Sequence, residues 1–278
     1  MTRVTMARRR FGRMLAGGLV LAGLSASLLT GAGPAAAATP EEIKAKGKVV
    51  VGVLTDYPPF GGTDAQQKPA GYDVDVARLF AKKLGVELEL VPVTGPNRIP
   101  YLLTNKIDLL IATFGITAER SRQVLFSNPY SALTTYVLAP KSLAIGKPED
   151  LKAVTIGVAR ASTQDTAVSA IAPSGTRIMR FDDDATTTQA IISGQVQSIG
   201  ASNTVLAQLT KDYASLQIEP KFNLRQQANG MAFRKADTAL RDYANGFIAE
   251  IAGNGQLDEI NKRWFGTPLG TLPPMPQF

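Results

Sequence analysis

Short apolar runs alternate with segments of helical periodicity along most of the chain. Apolar runs bounded by turn residues are typical of buried strands, and they lie at residues 49–54, 86–91, 109–112, 134–138, 154–159, 196–201 and 230–234. Helix-start signals or apolar positions at helical spacing follow most of them, at residues 73–84, 96–103, 117–120, 161–164, 187–193, 203–209, 237–252 and 257–264. Strands that alternate with helices in this way predict an α/β fold.

Two local signals predict the limits of the first long helix. Asp73 is a residue type that caps helix N-termini, and Gly85 follows the last apolar position of the periodic segment, where glycine is typical of a helix end. The spacing of Asp73 and Asp75 does not bring the two carboxyl groups face to face. Capping and the helix dipole therefore explain this pair better than acid–base chemistry does.

Residues 107–130 carry the clearest candidate binding chemistry. A strand at residues 109–112 leads into a turn that contains Thr113 and Gly115, and a helix then opens with Arg120 in its first turn. Free backbone N–H groups at a helix start attract anions, and a guanidinium holds a carboxylate through two parallel hydrogen bonds. The stretch therefore predicts a site that captures a carboxylate.

Most of the net positive charge of the chain comes from its first thirteen residues. The 278 residues include 30 Lys and Arg against 23 Asp and Glu, a net charge of +7. Five arginines stand at positions 3, 8, 9, 10 and 13, so the rest of the chain carries 25 basic against 23 acidic side chains. Because basic charge is not concentrated in any later segment, nucleic-acid binding is not expected.

The N-terminal region has the order of an export signal. The basic start is followed by an apolar run at residues 15–29 and an alanine-rich exit at residues 31–38. This order predicts a secretory signal peptide over residues 1–38, cleaved after Ala38. The alternative is an uncleaved anchor, but the run is short for a bilayer span of about 20 residues. The arginines at positions 8–10 also resemble a twin-arginine export signal.

The chain contains no cysteine and no histidine. Disulfide bonds and lipid attachment at an N-terminal cysteine are therefore excluded, and an exported chain is expected to be free in the periplasm. Catalysis by Ser-His-Asp or Cys-His sets and metal sites that use histidine are excluded as well. We predict neither a cofactor nor a metal site.

Five motifs stand in a fixed order along the chain: YPPF at 57–60, GYDVDVA at 71–77, ITAER at 116–120 with FSNPY at 126–130, VARASTQ at 158–164 and NKRWFG at 261–266. Together they resemble the family 3 solute-binding proteins, the periplasmic receptors of polar amino-acid ABC transporters. The resemblance extends over residues 41–266, which is nearly the whole chain after the predicted signal peptide.

The resemblance implies two α/β lobes in a type II periplasmic-binding-protein-like fold, with two crossover strands as the hinge. We expect the crossovers within residues 134–138 and 224–230, which gives lobe 1 residues 39–135 plus 226–278 and lobe 2 residues 136–225. A small-molecule ligand between the lobes is implied to close them, and an ABC permease in the inner membrane to read the closed form. The ligand drives closure only through its excess affinity for the closed state.

The resemblance also implies ligand contacts in the first lobe. The arginine that matches Arg120 holds the ligand α-carboxylate, and Thr113 and Gly115 match positions that donate a hydroxyl or an N–H. Glycine stands where serine or threonine is common, so only its N–H can serve. The tyrosine that matches Tyr57 stacks on the ligand, and Phe60 lies in the same loop. The alternative for both aromatic residues is packing under the loop.

Four further candidates come from the same resemblance. Ser162, Thr163 and Gln164 match a second-lobe helix start that meets the ligand from the other side, with plain N-capping as the alternative. Arg98 lies in an Asn-Arg-Ile-Pro segment similar to one in acidic-amino-acid receptors of the family. It is either the contact for a second carboxylate or a solvated arginine at a helix end.

Ser202 marks a departure from the family pattern. Many relatives carry an aspartate that matches Ser202 and pairs with the ligand α-ammonium, and Gln197 also replaces a common acid. A buried ammonium without a carboxylate partner is costly. Either other acceptors serve this group, with Ser202 among the candidate contacts, or the ligand lacks a simple α-ammonium, which keeps dicarboxylates open.

The sequence as a whole favours the binding subunit of an ABC importer that captures a small polar carboxylate, with a polar or acidic amino acid preferred. An enzyme is not expected, because none of the matched cleft positions carries an acid that could serve as a general acid or base. The alternatives are a dehydratase of the same fold acting on a cyclic carboxylate, and a ligand-sensing receptor without transport.

Overall fold

The computed structural model describes residues 37–278. The predicted signal peptide lies outside these residues, except for its last two positions. The strands are β1 (Lys48–Leu54), β2 (Gly62–Thr63), β3 (Pro69–Ala70), β4 (Glu87–Val93), β5 (Leu109–Leu110), β6 (Leu125–Pro140), β7 (Thr155–Ala159), β8 (Arg177–Phe181), β9 (Ser198–Ser202) and β10 (Ile218–Phe233). The helices are α1 (Pro40–Lys46), α2 (Tyr72–Leu84), α3 (Arg98–Leu103), α4 (Ala118–Ser121), α5 (Thr163–Ile171), α6 (Asp184–Ile192), α7 (Asn203–Asp212), α8 (Thr238–Gly253) and α9 (Gln256–Phe265). None of these helices is long and apolar enough to cross a bilayer.

Eight of the strands form one sheet in the order β4-β1-β5-β10-β6-β9-β7-β8. Strand β1 pairs in parallel with β4 and β5, and β7 pairs in parallel with β8 and β9. Strands β6 and β10 pair antiparallel along their whole length. The β4-β1-β5 group, here called the first half, adjoins one end of this pair, and the β9-β7-β8 group, the second half, adjoins the other.

This topology confirms the predicted two-lobe fold with two connecting strands. The exact residue limits of the lobes stay a prediction. The strands predicted at residues 134–138 and 230–234 are parts of β6 and β10, which have 16 residues each. The strand predicted at residues 109–112 is shorter than expected, because the chain leaves the sheet and turns through Thr113, whose φ is 47°. Helix α1 and strand β8 were not predicted.

Helix α2 packs on the first half and corrects one prediction. Its N-cap is Gly71, with a φ of 146°, and a Cβ there would lie 2.3 Å from a backbone carbonyl oxygen. The prediction that Asp73 caps the helix is therefore wrong. The buried Asp73 carboxylate instead accepts hydrogen bonds from Thr113 Oγ1 at 2.6 Å and from the Tyr130 hydroxyl at 2.7 Å. These two hydrogen bonds connect α2 with the turn after β5 and with β6.

Candidate functional site

A small cavity lies where the two halves meet. The residues that line it are Leu54, Tyr57, Arg98, Thr113, Arg120, Leu133, Ser162, Thr163, Gln164, Asp184 and Gln227. Seven of the ten predicted ligand contacts are among them; Phe60, Gly115 and Ser202 are not. The cavity holds about 20 Å³ of space for water centres, which suits about one water molecule. A ligand of amino-acid size therefore requires side chains or halves to move apart.

Arg120 is buried in this cavity, with its guanidinium bonded only to carbonyl oxygens. Nη1 donates to the Gly115 carbonyl at 2.9 Å and Nη2 to the Ala161 carbonyl at 2.8 Å. The guanidinium carbon lies 4.3 Å from the centre of the Phe114 ring. Burial, together with the neighbouring Arg98, lowers the pKa of Arg120 well below its ordinary value. Within residues 37–278 it forms no ion pair, so a ligand anion would supply the missing countercharge.

Arg98 is the second buried guanidinium of the cavity. It is 5% exposed, which contradicts the alternative of a solvated arginine at a helix end. Its Nε has no partner among the described residues. Burial lowers the pKa of Arg98, and the negative charges of Asp184, Asp56 and Asp73 oppose that effect. Arg98 is therefore surrounded by three acids, whereas Glu119 is the one acid of the described chain whose charge acts on Arg120.

The Ala161 carbonyl joins the two halves at this point. Ala161 lies between β7 and α5 with a φ of 58°, a left-handed conformation that costs a non-glycine residue about 1 kcal/mol. Its oxygen accepts hydrogen bonds from Nη2 of Arg120 at 2.8 Å and from Nη2 of Arg98 at 3.4 Å. One backbone oxygen of the second half therefore binds both guanidinium groups of the first half. A carboxylate oxygen is the same kind of acceptor with a full charge, so it can compete for both.

The start of α5 contributes three of the predicted residues. Ser162 Oγ accepts a hydrogen bond from the Asp165 N–H at 3.0 Å, so this hydroxyl does cap the helix while also lining the cavity. Thr163 Oγ1 donates to the side-chain oxygen of Gln227 and lies 3.1 Å from Gln164 Oε1. Because Gln227 belongs to β10, this contact connects α5 with one of the two strands that join the halves.

Thr113 and Gly115 differ in how they relate to the cavity. The Thr113 hydroxyl donates its hydrogen to Asp73, so it offers a ligand an acceptor rather than the predicted donor. Burial raises the pKa of Asp73 to about 6, and the hydrogen bond from Thr113 opposes that shift. Gly115 lies behind the lining. A Cβ there would approach Gln227 Cδ to 2.5 Å, which is a packing reason for glycine.

Tyr57, Phe60 and Ser202 form a buried group beside the cavity. The Tyr57 hydroxyl donates to Ser202 Oγ at 2.5 Å across the two halves, and its ring lines the cavity. Ser202 Oγ also caps α7 by accepting from the Val205 N–H at 3.4 Å. The Phe60 ring stacks on Tyr57 and meets Phe265 edge-on, so the packing alternative describes it. The structure does not bring Phe60 or Ser202 to the cavity surface.

Asp184 lines the cavity, and sequence matching missed it. It is the one acid among the lining residues of the described chain. Its N–H donates to Asp56 Oδ2 at 2.9 Å, while Asp183 caps α6. Burial raises the pKa of Asp184 to about 7; the charge of Asp56 adds to this shift and Arg98 opposes it. Burial likewise raises the pKa of Asp56. An acid therefore enters the cleft from a position that no motif covers.

The other lining residues that the sequence did not reveal are Leu54, Leu133 and Gln227. The sequence signal for Gln227 is weak: it is a polar residue within a strand segment. The structure shows that it is 4% exposed on β10. Asp184 has none, because an acid at a helix start is explained by the helix dipole alone. Within residues 37–278, no group of three or more His, Cys, Asp or Glu side chains is arranged to hold a metal ion.

Comparison with known proteins places this geometry in a family. The glutamine-binding protein GlnH of an ABC transporter in Bacillus subtilis strain 168 is 30% identical over 227 residues, 80% of this chain and 82% of that protein. The solute receptor for L-cysteine of Neisseria gonorrhoeae has a TM-score of 0.77 and 31% identity, covering 82% of this chain and 94% of that one. The ancestral amino acid-binding protein AncCDT-1, a precursor of cyclohexadienyl dehydratase, has a TM-score of 0.74 and 31% identity over 82% of this chain and all of that one (100%).

A sequence profile gives the same result over most of the chain. The profile of the bacterial extracellular solute-binding proteins, family 3, matches residues 49–267. This range contains both halves, the two connecting strands and every residue that lines the cavity. The chain belongs to the bacterial extracellular solute-binding proteins, family 3.

Proposed function

We propose that this protein is the binding subunit of an ABC importer and captures a small polar carboxylate, above all an amino acid, between its halves. Family membership supports this function, as does the likeness to an ABC transporter glutamine-binding protein and to an L-cysteine receptor. The predicted signal peptide and the periplasmic location of the family support delivery to a permease in the inner membrane.

The observation that carries the proposal is the state of Arg120. Arg120 is 8% exposed and lies between the halves. It bonds to two neutral carbonyl oxygens and to no carboxylate of the described chain. A ligand carboxylate would replace the Ala161 oxygen as its acceptor and add the missing charge. Charge-assisted hydrogen bonds of this kind are about twice as strong as neutral ones.

The surroundings of Arg98 bear on the class of ligand. A second carboxylate on the ligand would need a guanidinium with no other countercharge. Arg98 already has Asp184, Asp56 and Asp73 around it. This arrangement supports a polar amino acid over an acidic one, and glutarate serves as the test of the dicarboxylate alternative.

Contacts that cross between the halves support lobe closure as part of this proposal. Tyr57 bonds to Ser202, and the Asp184 N–H bonds to Asp56. The Ala161 oxygen bonds to both arginines of the first half. All of these bonds exist only when the halves are together. A ligand that binds both halves therefore shifts the population toward the closed form by its differential affinity.

The test is the variant Arg120→Ala, with Arg122→Ala as the matched control because Arg122 is exposed two residues away. A thermal-shift screen over amino acids first identifies a ligand; one present at 100 times its dissociation constant adds about 2.7 kcal/mol of stability. Calorimetry should then show a loss of about 3–5 kcal/mol, roughly two to four decades in affinity, for Arg120→Ala. Wild-type affinity in this variant would reject Arg120 as the carboxylate contact.

A second candidate function rests on Asp184. A carboxyl group with a pKa of about 7 in a cavity has the property of a general acid near neutral pH, and one structural neighbour is a precursor of a dehydratase. Incubation with a cyclohexadienyl carboxylate, followed by absorbance of an aromatic product, tests this function. Turnover that Asp184→Asn abolishes would establish an enzyme; no product at enzyme concentrations near those of the substrate would exclude it for this substrate.

Transport and sensing are separated by a different measurement. Proteoliposomes that contain the candidate permease should accumulate labelled ligand only when the binding protein is added outside. Binding without uptake for every permease of the same cell would favour the sensing alternative.

A further inference from the structure

Asp184 lines the cavity, Asp56 lies beside it without lining the cavity, and few hydrogen bonds reach the two carboxyl groups. Asp56 follows β1 in the first half, and Asp184 begins α6 in the second. The only hydrogen bond between them runs from the Asp184 N–H to Asp56 Oδ2. The other oxygen, Asp56 Oδ1, is buried with no partner among residues 37–278. No donor of the described chain bonds to the Asp184 carboxylate, and no ion pair includes it.

Two half-buried carboxyl groups close to each other are stabilised in their ionised form by nearby positive charge. Burial raises the pKa of both carboxyl groups. The charge of Asp56 adds to the shift at Asp184, whereas the hydrogen bond from the Asp184 N–H opposes the shift at Asp56. Arg98 is the cation that opposes the shift at Asp184. However, the Arg98 guanidinium directs its Nη atoms to backbone carbonyls, and its Nε lies buried without a partner in the described residues. Asp56 Oδ1 and the Asp184 carboxylate accept no hydrogen bond from the described residues, and Arg98 Nε donates none. The protein therefore leaves these polar groups without hydrogen-bond partners.

The rest of the cavity offers an ammonium group few alternatives. Ser202 is fully buried and does not line the cavity, and its hydroxyl already forms hydrogen bonds with Tyr57, with Thr204 and with the start of α7. The Thr163 hydroxyl donates to Gln227. Asp184 is the one anionic side chain among the residues that line the cavity of the described chain. A buried ammonium needs such a partner, because an unpaired buried charge is costly.

We propose that the Asp184 carboxylate, which lines the cavity, binds the ammonium group of a ligand whose carboxylate is held at Arg120. This inference rests on the proposed function and narrows it. The ligand is then an α-amino acid that is neutral or cationic overall, and des-amino carboxylates and dicarboxylates are poor ligands. The acceptor for the ammonium lies at the start of α6 and not at the start of α7, where Ser202 stands.

The experiment compares Asp184→Asn with the wild type and with the control variant Asp182→Asn. The Asp182 side chain is 85% exposed and lies outside the cavity. The probes are L-glutamine, L-cysteine and L-arginine, each paired with the acid that lacks its amino group: 4-carbamoylbutanoate, 3-mercaptopropanoate and 5-guanidinopentanoate. Glutarate is the dicarboxylate probe. Affinities are measured by calorimetry at pH 8, where Asp184 is ionised, and circular dichroism verifies that each variant is folded.

Each outcome supports or overturns the inference. We expect at least one amino acid to bind the wild type and Asp182→Asn equally and to lose about 100-fold or more in affinity for Asp184→Asn. In the wild type and in Asp182→Asn its affinity should exceed that of its des-amino partner by a similar factor, and in Asp184→Asn this difference should disappear. Equal affinity of Asp184→Asn, or glutarate as the best ligand, overturns the role of Asp184 while Arg120→Ala still tests the carboxylate contact. If no probe binds the wild type at millimolar concentration, the proposed function fails first and the inference fails with it.

Discussion

The replacement of Asp184 by asparagine should remove part of the pH dependence of unfolding. Burial raises the pKa of this carboxyl from 3.8 to about 7 in the folded protein. The folded chain therefore binds the proton more tightly than the unfolded chain does. The resulting stabilisation is fully present below about pH 4 and is lost as the pH rises through 7. Asparagine is neutral throughout and lacks this contribution.

The size of the effect follows from the shift. One pKa unit corresponds to about 1.4 kcal/mol, so a shift of about three units sets an upper limit of about 4 kcal/mol. Asp184 keeps part of its surface exposed, and water reduces the cost of its charge, so we expect about 2–3 kcal/mol. Asp73, with a pKa of about 6, titrates in the same range, but it does so in both proteins and cancels in the difference.

The assay is urea unfolding of wild type, Asp184→Asn and the control Asp182→Asn between pH 4.5 and 8.5, followed by the fluorescence of the single tryptophan. As the pH rises from 4.5 to 8.5, the difference in free energy of unfolding between Asp184→Asn and the wild type should change by about 2–3 kcal/mol in favour of the variant. Asp182→Asn should follow the wild type. Parallel curves for wild type and Asp184→Asn would show that Asp184 is not a buried acid, and the electrostatic account of the cavity would be wrong.

Two further predictions concern neighbouring residues. Tyr57→Phe removes the hydroxyl that bonds to Ser202 between the halves, so ligand affinity should fall by about 0.5–1.5 kcal/mol, roughly 2- to 10-fold, in calorimetry; unchanged affinity would mean that this bond does not favour closure. Gly115→Ala places a Cβ 2.5 Å from Gln227 Cδ, so thermal unfolding should show a loss of about 1–3 kcal/mol, whereas Gly246→Ala, where a Cβ meets nothing within 4 Å, should show no loss.

Several features of this protein follow from short stretches of sequence. Thr117 and Ser162 cap α4 and α5 as their residue types predict, because a cap bonds to an N–H only three residues away. Strand β1 is buried over its apolar run because it lies between two other strands. The alternation of such runs with helices was sufficient for the fold class, and the motif order for the two-lobe form.

Local patterns failed where a side chain had a distant partner. Asp73 has the residue type and position of a cap, yet its carboxylate bonds to Thr113 and Tyr130, forty and fifty-seven positions away in sequence. Arg98 stands at a helix start, where an arginine is commonly solvated, yet it is buried against the second half. In both cases the competing partner comes from another element, which periodicity does not describe.

The sequence by itself determined the fold class, most of the elements, the caps of α4 and α5 and most of the candidate ligand contacts, since these depend on neighbours in the chain or on motifs read in order. Only the tertiary structure decided which charges meet in the cavity. It bonded Ser202 to Tyr57 outside the cavity lining, gave Arg98 three acidic neighbours, and brought Asp184 to the cavity from the second half. The physical reason is that burial and Coulomb energy depend on distances through space, and the pairing of β6 with β10 sets these distances.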